Sequence, residues 1–138
     1  VFGRAISKSQ VYDDVVACDL AEIYIPDMVP ETADHLVRAE GMRWAIIVGE
    51  HENNMYVSVR VNDRRYSAGK LVREVIRHYP DGSAGGHGTM AGGQVPLSGQ
   101  DSGRLAQAIV GSGFSGAGVG SRAGSGRSRR TTSRTCRV

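Results

Sequence analysis

Hydrophobic and polar residues are arranged along the chain in patterns that predict two adjacent β-strands. Residues 43–50 read Arg-Trp-Ala-Ile-Ile-Val-Gly-Glu, and such a continuous apolar run is typical of a central strand buried on both faces. From Met55 to Asn62 apolar and polar residues alternate, which is the two-residue period of a strand with two different faces. Because the turn at residues 51–54 is short, we predict an antiparallel hairpin.

Three segments are predicted to be helical: residues 30–40, 68–78 and 104–110. The first begins with proline and acidic residues and stops at Gly41, as helices commonly do. The second has apolar residues three and four positions apart, with Ser67 as a candidate N-cap. The third is short and its pattern is weaker.

The remaining apolar segments complete the fold prediction. Residues 11–25 form a run rich in β-branched side chains, which we interpret as one or two strands. Residues 94–97, Gln-Val-Pro-Leu, are predicted to be a short edge strand because proline cannot donate a hydrogen bond within a sheet. The predicted fold class is α/β, a small mixed β-sheet with an antiparallel hairpin, flanked by two to three helices.

Charge is distributed unevenly over the 138 residues. Residues 1–100 contain ten Lys and Arg against thirteen Asp and Glu, whereas residues 101–138 contain seven Arg against one Asp. The basic character therefore belongs to the C-terminal part, and phosphate recognition by the rest of the chain must be local. Residues 111–138 are rich in Gly, Ser and Arg, a composition that buries too little apolar surface, so we expect a disordered low-complexity tail.

The cysteine content and the hydropathy of the sequence indicate in which cellular compartment the protein is expected. Cys18 and Cys136 have neither metal-ligand spacing nor the pattern of a disulfide framework, so we expect a reducing, cytoplasmic setting. The sequence contains no run of 18 apolar residues, and we therefore expect no association with a membrane.

Residues 85–93, Gly-Gly-His-Gly-Thr-Met-Ala-Gly-Gly, place one histidine among small residues. Such a loop lets backbone amides and an imidazole approach an anion closely. A glycine-rich turn with an incidental surface histidine is the alternative.

Ser58 and Arg60 share one face of the predicted strand. They are either ordinary solvated residues or a polar pair directed at the ligand of the Gly-His loop.

The order of these segments resembles a known family. A strand reading Val57-Ser58-Val59-Arg60, an amphipathic helix and then residues 84–93 are similar to the C-terminal, DHH-associated domain of the DHH phosphoesterase superfamily. The resemblance covers roughly residues 11–97. Members of that superfamily include oligoribonucleases that also dephosphorylate adenosine bisphosphate, single-strand exonucleases, cyclic dinucleotide phosphodiesterases and exopolyphosphatase-related proteins.

The resemblance implies that the catalytic half lies elsewhere. In that superfamily an N-terminal domain carries the Asp-His-His signature and acidic ligands for manganese. This chain has no Asp-His-His; Asp34-His35-Leu36 comes nearest, inside a predicted helix. We therefore expect a fragment of a two-domain phosphoesterase, with residues 1–10 as the linker and residues 11–110 as the substrate-binding domain. No catalytic residue, metal ligand or cofactor is expected in this chain.

The resemblance also implies roles for particular residues. His87 would donate to a substrate phosphate, the glycines would let the backbone approach, and Arg60 would pair with phosphate or stack on a base. The candidate substrate-binding residues are Arg60, Ser58, Gly85, Gly86, His87, Gly88, Ala91, Gly92 and Gly93. Met90 and the additional Gly93 depart from the family pattern and leave the substrate preference open.

The implied partners are a phosphate-bearing nucleotide or short single-stranded nucleic acid and the absent N-terminal domain; a homodimer is a further candidate. One alternative function is a non-catalytic nucleic-acid-binding module, as in the related C-terminal domain of alanyl-tRNA synthetases. The acidic balance of residues 1–100 argues against it. A small α/β domain that serves oligomer contacts is the other alternative.

Overall fold

A mixed β-sheet runs through the centre of the structure, a computed structural model that describes residues 7–118 and 132–136. Its seven strands are β1 (Ser7–Tyr12), β2 (Val15–Glu22), β3 (Trp44–His51), β4 (Asn54–Val61), β5 (Ser83–His87), β6 (Met90–Pro96) and β7 (Thr132–Cys136). Their order across the sheet is β5-β6-β4-β3-β2-β1-β7. Strands β2 and β3 are parallel and all other neighbours are antiparallel.

Three helices cover the two faces of the sheet: α1 (Met28–Val37), α2 (Ala68–Ile76) and α3 (Ser102–Gly116). Helix α1 connects β2 to β3 and packs on one face against Cys18, Leu20 and Ile47. Helices α2 and α3 pack on the other face, over the larger apolar core that includes Ile46 and Val59. The predicted α/β class with a mixed sheet is confirmed. In the described ranges, no helix is long and apolar enough to cross a membrane.

The predicted hairpin of residues 43–62 is confirmed, and it forms the middle of the sheet as β3 and β4. Pairing runs from Trp44 opposite Val61 to His51 opposite Asn54. The two residues of the turn, Glu52 and Asn53, have φ values of 47° and 65°. Positive φ at both positions gives a turn whose twist matches that of the strands.

The two stronger helix predictions are confirmed with small differences at their ends. The hydroxyl of Ser67 accepts a hydrogen bond from the Lys70 amide at 3.2 Å, so Ser67 is the N-cap of α2 as predicted. Helix α2 ends at Ile76 instead of residue 78, and α1 spans Met28–Val37 instead of residues 30–40.

The Gly-His stretch differs from its prediction, because residues 83–96 form a β-hairpin instead of a loop. Strand β5 lies at the edge of the sheet, and β6 is an internal strand between β5 and β4. The strand predicted at residues 94–97 is the end of β6, and the predicted edge position holds only for residues 95 and 96, which pair with β4 but not with β5. Pro96 is tolerated because the amide of Leu97 donates towards β4, to the carbonyl oxygen of Asn53. The ring nitrogen of Pro96 then points the other way, where β5 has already ended.

The C-terminal region contains more helix and strand than its composition predicts. Helix α3 continues to Gly116, six residues beyond the predicted end at Val110. Its late glycines allow close packing, since a Cβ on Gly113 would lie 2.8 Å from Ile46 and one on Gly116 would lie 3.2 Å from Leu71. Residues 132–136, assigned to the tail, form β7 beside β1. Residues 119–131 of that predicted tail lie outside the described residues.

Two glycines of the β5–β6 hairpin differ in the space around them, so we expect an added methyl group to lower stability at one and not at the other. A Cβ on Gly93 would overlap the Ile76 side chain and lie 2.5 Å from the Ser83 carbonyl oxygen, whereas one on Gly85 meets nothing within 4 Å. Overpacking of this kind costs about 1–3 kcal/mol. Gly93→Ala should lower the thermal unfolding midpoint, followed by circular dichroism, while Gly85→Ala leaves it unchanged. Equal midpoints for the two variants would contradict the packing of α2 on this hairpin.

Candidate functional site

The pairing of β4, β6 and β5 places predicted site residues in rows across the sheet. Directly paired residues project from the same face. The three rows are Arg60–Met90–His87, Ser58–Gly92–Gly85 and Tyr56–Gln94–Ser83. Their neighbours Val57, Val59 and Ala91 belong to the core on the other face. The three rows therefore lie on the face that carries α1.

The middle row forms an open groove because two of its three residues have no side chain. A Cβ on Gly85 would meet nothing within 4 Å, whereas one on Gly92 would lie 2.9 Å from the Val57 carbonyl oxygen and 3.7 Å from the Ser58 hydroxyl oxygen. A cavity of about 400 Å³ lies here. It is lined by Tyr56, Ser83, Ala84, Gly85, Gly92, Gly93 and Gln94. We call this the glycine groove; Ser58 lies at the inner end of its middle row, and Arg60 and His87 lie in the adjacent row.

Arg60 is buried, with 7% of its surface exposed, so its interpretation as an ordinary solvated residue was wrong. Its Nε donates to Oδ1 of Asp34 in α1 at 2.6 Å. Its Nη1 donates to the carbonyl oxygens of Val59 at 3.1 Å and Ala91 at 3.3 Å. A guanidinium withdrawn from water needs such partners. These bonds fix the plane of the Arg60 guanidinium in the sheet face beneath α1.

One end of the Arg60 guanidinium remains available to a ligand. Its Nη2 forms no hydrogen bond with any described residue. No fully buried side-chain nitrogen or oxygen in the described ranges is without a partner, so Nη2 is not completely sealed off, and 9% of the Arg60 side chain is exposed. This nitrogen carries two N–H donors. Nη2 is therefore the part of the Arg60 guanidinium that the hydrogen bonds to described residues leave unused.

The Ser58 hydroxyl is placed similarly. The residue is 5% exposed, and its hydroxyl has no hydrogen-bond partner among the described residues. By the same reasoning, the oxygen is not completely sealed off. Because it lies beside Gly92, it can donate to or accept from a group in the groove.

His87 lies at the exposed end of the Arg60 row, where β5 turns into β6. Neither of its ring nitrogens bonds to a described residue. The carbonyl oxygens around it are occupied: that of Gly86 accepts from Arg73 Nη1 at 3.1 Å, and that of Gly88 accepts from the Ala68 amide at 2.8 Å. The N-terminal end of α2 thus anchors the turn, and the imidazole remains free to bind a ligand.

The structure divides the predicted site residues between two faces. Five of them lie on the α1 face: Arg60, Ser58, Gly85, His87 and Gly92. Three others lie towards α2, namely Gly86, Ala91 and Gly93, and Gly88 is in the turn. Ala91 is buried in the core, and Gly93 serves the close approach of Ile76. A role in ligand binding stays a prediction for all nine residues.

Four residues of this region were not identified from the sequence: Asp34, Tyr56, Ser83 and Gln94. The two-residue period of β4 places Tyr56 on the face of Ser58 and Arg60, so its position was predictable. The pairing of Asp34 with Arg60 was not, because 26 residues separate them and no local pattern joins them. His35, the neighbour of Asp34, is exposed.

The donor set of this region suits an anion better than a metal cation. Arg60, Ser58 and His87 supply N–H and O–H donors, and the nearby carboxylate of Asp34 is bound to Arg60. Within the described parts of the chain, no three His, Cys, Asp or Glu side chains lie together as metal ligands. The described residues therefore do not fit a manganese site.

Known proteins share this fold. The C-Ala domain of alanyl-tRNA synthetase from Aquifex aeolicus superposes with a TM-score of 0.55 at 16% identity, over 75% of this chain and 96% of that domain. An exopolyphosphatase-related protein from Bacteroides fragilis superposes with a TM-score of 0.61 at 14% identity, over 86% of this chain and 35% of that protein. At such identities the likeness shows the fold alone.

Sequence similarity extends over the same region. An uncharacterized protein of Methanocaldococcus jannaschii, MJ1633, is 26% identical over 98 residues, which are 70% of this chain. The chain spans only 19% of the length of that relative. The DHHA1 domain family matches residues 13–110, from the β1–β2 hairpin turn into α3. The chain therefore belongs to the DHHA1 domain family.

Proposed function

We propose that this domain holds the substrate of a manganese-dependent phosphoesterase that acts on short oligonucleotides or nucleotide phosphates, with the catalytic domain outside this chain. The observation that carries the proposal is the placement of the free Nη2 of Arg60 and the imidazole of His87 in one row beside the glycine groove. The exposed Met90 lies between these two donors in their row, and the side-chain-free backbone of Gly85 and Gly92 lies in the next row. Donors beside such a stretch of backbone suit a phosphate with a planar or sugar group attached.

The proposed contacts follow from the chemistry of the donors. Nη2 of Arg60 carries two N–H groups that can donate to phosphate oxygens, and a charged donor forms stronger hydrogen bonds than a neutral one. Asp34 neutralises much of the Arg60 charge, so directed hydrogen bonds rather than net charge supply the attraction. His87 donates from the exposed side, and Ser58 donates from the floor.

The groove would hold the remainder of the substrate. Its floor at Gly85 and Gly92 lets a sugar or base approach the backbone, since no Cβ intervenes. Tyr56 and Gln94 line its other side. An aromatic ring and an amide there offer a surface for stacking and for hydrogen bonds to a base.

In this proposal, binding and hydrolysis belong to different domains. The described residues offer no metal-ligand cluster, so the manganese ions would be held by a second domain, where they would supply metal-activated water. The DHHA1 family match and the small share of the relatives that this chain spans support such a division.

Replacing the histidine tests the proposed phosphate contact. We expect His87→Ala to weaken binding of a nucleoside 5′-monophosphate about tenfold or more, because a charge-assisted hydrogen bond contributes roughly 1.5–3 kcal/mol. Isothermal titration calorimetry measures the affinity. His78→Ala is the matched control, since His78 is also exposed but lies just after α2, on the opposite side of the sheet. Equal affinities for wild type and His87→Ala would contradict the proposal.

Filling the groove tests the role of its floor. Gly85→Ala places a methyl group in open space above the strand, so we expect nucleotide affinity to fall about tenfold, or roughly 1.4 kcal/mol, without loss of stability. Gly111→Ala in α3 is equally unobstructed and lies outside the groove, so it should bind like wild type. If Gly85→Ala binds as tightly as Gly111→Ala, the ligand does not occupy the groove.

A further inference from the structure

A second feature lies on the segment between β4 and α2, residues 62–67, where Tyr66 is surrounded by cations and an aromatic ring. The Cζ atoms of Arg43 and Arg65 lie 5.5 and 5.9 Å from the centre of the Tyr66 ring. The Trp44 ring meets it edge-on, with 5.8 Å between ring centres. These distances are those of cation–π and aromatic contacts. The Tyr66 ring therefore contacts both guanidinium groups.

Arg65 is held in one orientation although it is exposed. Its Nε lies 3.1 and 3.2 Å from the two carboxylate oxygens of Asp63, and its Nη2 donates to Oδ2 at 2.7 Å. The side chain of Arg65 nevertheless keeps 77% of its surface exposed. An exposed ion pair adds little to stability, but this one orients the Arg65 guanidinium and leaves most of the side chain open to solvent.

A cavity of about 400 Å³ adjoins Arg65, which is within the range of small-ligand sites. Its lining includes Trp44, Tyr66, Lys70 and Glu74. The ammonium group of Lys70 is exposed and suits a phosphate, whereas the carboxylate of Glu74, one turn further along α2, can accept from the exocyclic amine of a base.

This second region lies on the α2–α3 side of the sheet, and its segment contacts the turn at the His87 end of the glycine groove. The Val61 amide donates to the Thr89 carbonyl oxygen at 3.1 Å, and the Ala68 amide donates to that of Gly88 at 2.8 Å. The segment that carries Arg65 and Tyr66 therefore begins and ends against the turn that follows His87. A nucleic-acid strand that leaves the groove at its His87 end meets this segment next.

We propose that Arg65, supported by Asp63 and Tyr66, is a stacking platform for a second nucleobase of a single-stranded oligonucleotide, with Lys70 contacting its phosphate. Guanidinium planes stack well on bases. The inference rests on the proposed function and narrows its substrate to oligonucleotides that extend beyond the groove.

Binding of two lengths of ligand tests the platform. The probes are 5′-phosphorylated oligoadenylates of two and six nucleotides, labelled for fluorescence anisotropy. We expect Arg65→Ala and Arg65→Lys to weaken binding of the hexanucleotide about tenfold, since one stacked base contributes roughly 1–3 kcal/mol, and to leave the dinucleotide unaffected. Arg64→Ala removes the same charge from an exposed neighbour that bonds to no described residue, and we expect it to change hexanucleotide affinity about twofold at most.

The outcomes separate the two proposals. If Arg65→Ala binds the hexanucleotide like Arg64→Ala, or if Arg65→Lys binds it like wild type, the stacking platform is overturned while the groove proposal stands. If wild type binds neither oligonucleotide, the proposed function itself fails. Selective loss of hexanucleotide affinity in both Arg65 variants, with unchanged thermal unfolding, supports the platform.

Discussion

The ion pair between Arg60 and Asp34 is the interaction on which the candidate site depends. It joins the central hairpin to α1 and keeps a guanidinium buried in the sheet face. Loss of one partner from a fully buried pair costs roughly 3–5 kcal/mol; here the cost is smaller, because the Asp34 side chain is 44% exposed. The pair occupies Nε while backbone carbonyls occupy Nη1, so that only Nη2 can meet a ligand. A structural contact thereby sets the direction in which Arg60 can donate.

The glycines of the β5–β6 hairpin have a different role on each face of the sheet. Towards α1, Gly85 and Gly92 leave a groove open to the surface. Towards α2, Gly93 admits Ile76, and Gly86 brings its carbonyl oxygen against Gly69 and within reach of Arg73. The same composition therefore produces a binding surface on one side and close helix packing on the other. The packed side holds the hairpin in place and so fixes the position of His87.

Much of this arrangement was predictable from local patterns, and the parts that were not depend on distant contacts. The alternation in β4 correctly placed Ser58 and Arg60 on one face, and Ser67 was correctly identified as the cap of α2. Strand β5 was missed because glycine has a low strand propensity, which pairing with β6 overrides. The continuation of α3 beyond Val110 was missed because glycine also has a low helix propensity. Packing of Gly113 on Ile46 compensates for that low propensity. The burial of Arg60 was missed because it depends on Asp34, in a different element.

The central claim is that a phosphate-bearing nucleotide binds the α1 face between Arg60 and His87. The most direct test is a nuclear magnetic resonance titration of isotopically labelled protein with a nucleoside 5′-monophosphate, which follows backbone amides and arginine side chains. The account predicts that the largest shifts occur at the Arg60 guanidinium and at the amides of Gly85, His87 and Gly92. Shifts confined to the α2–α3 surface, around His78 and Gln107, would contradict it.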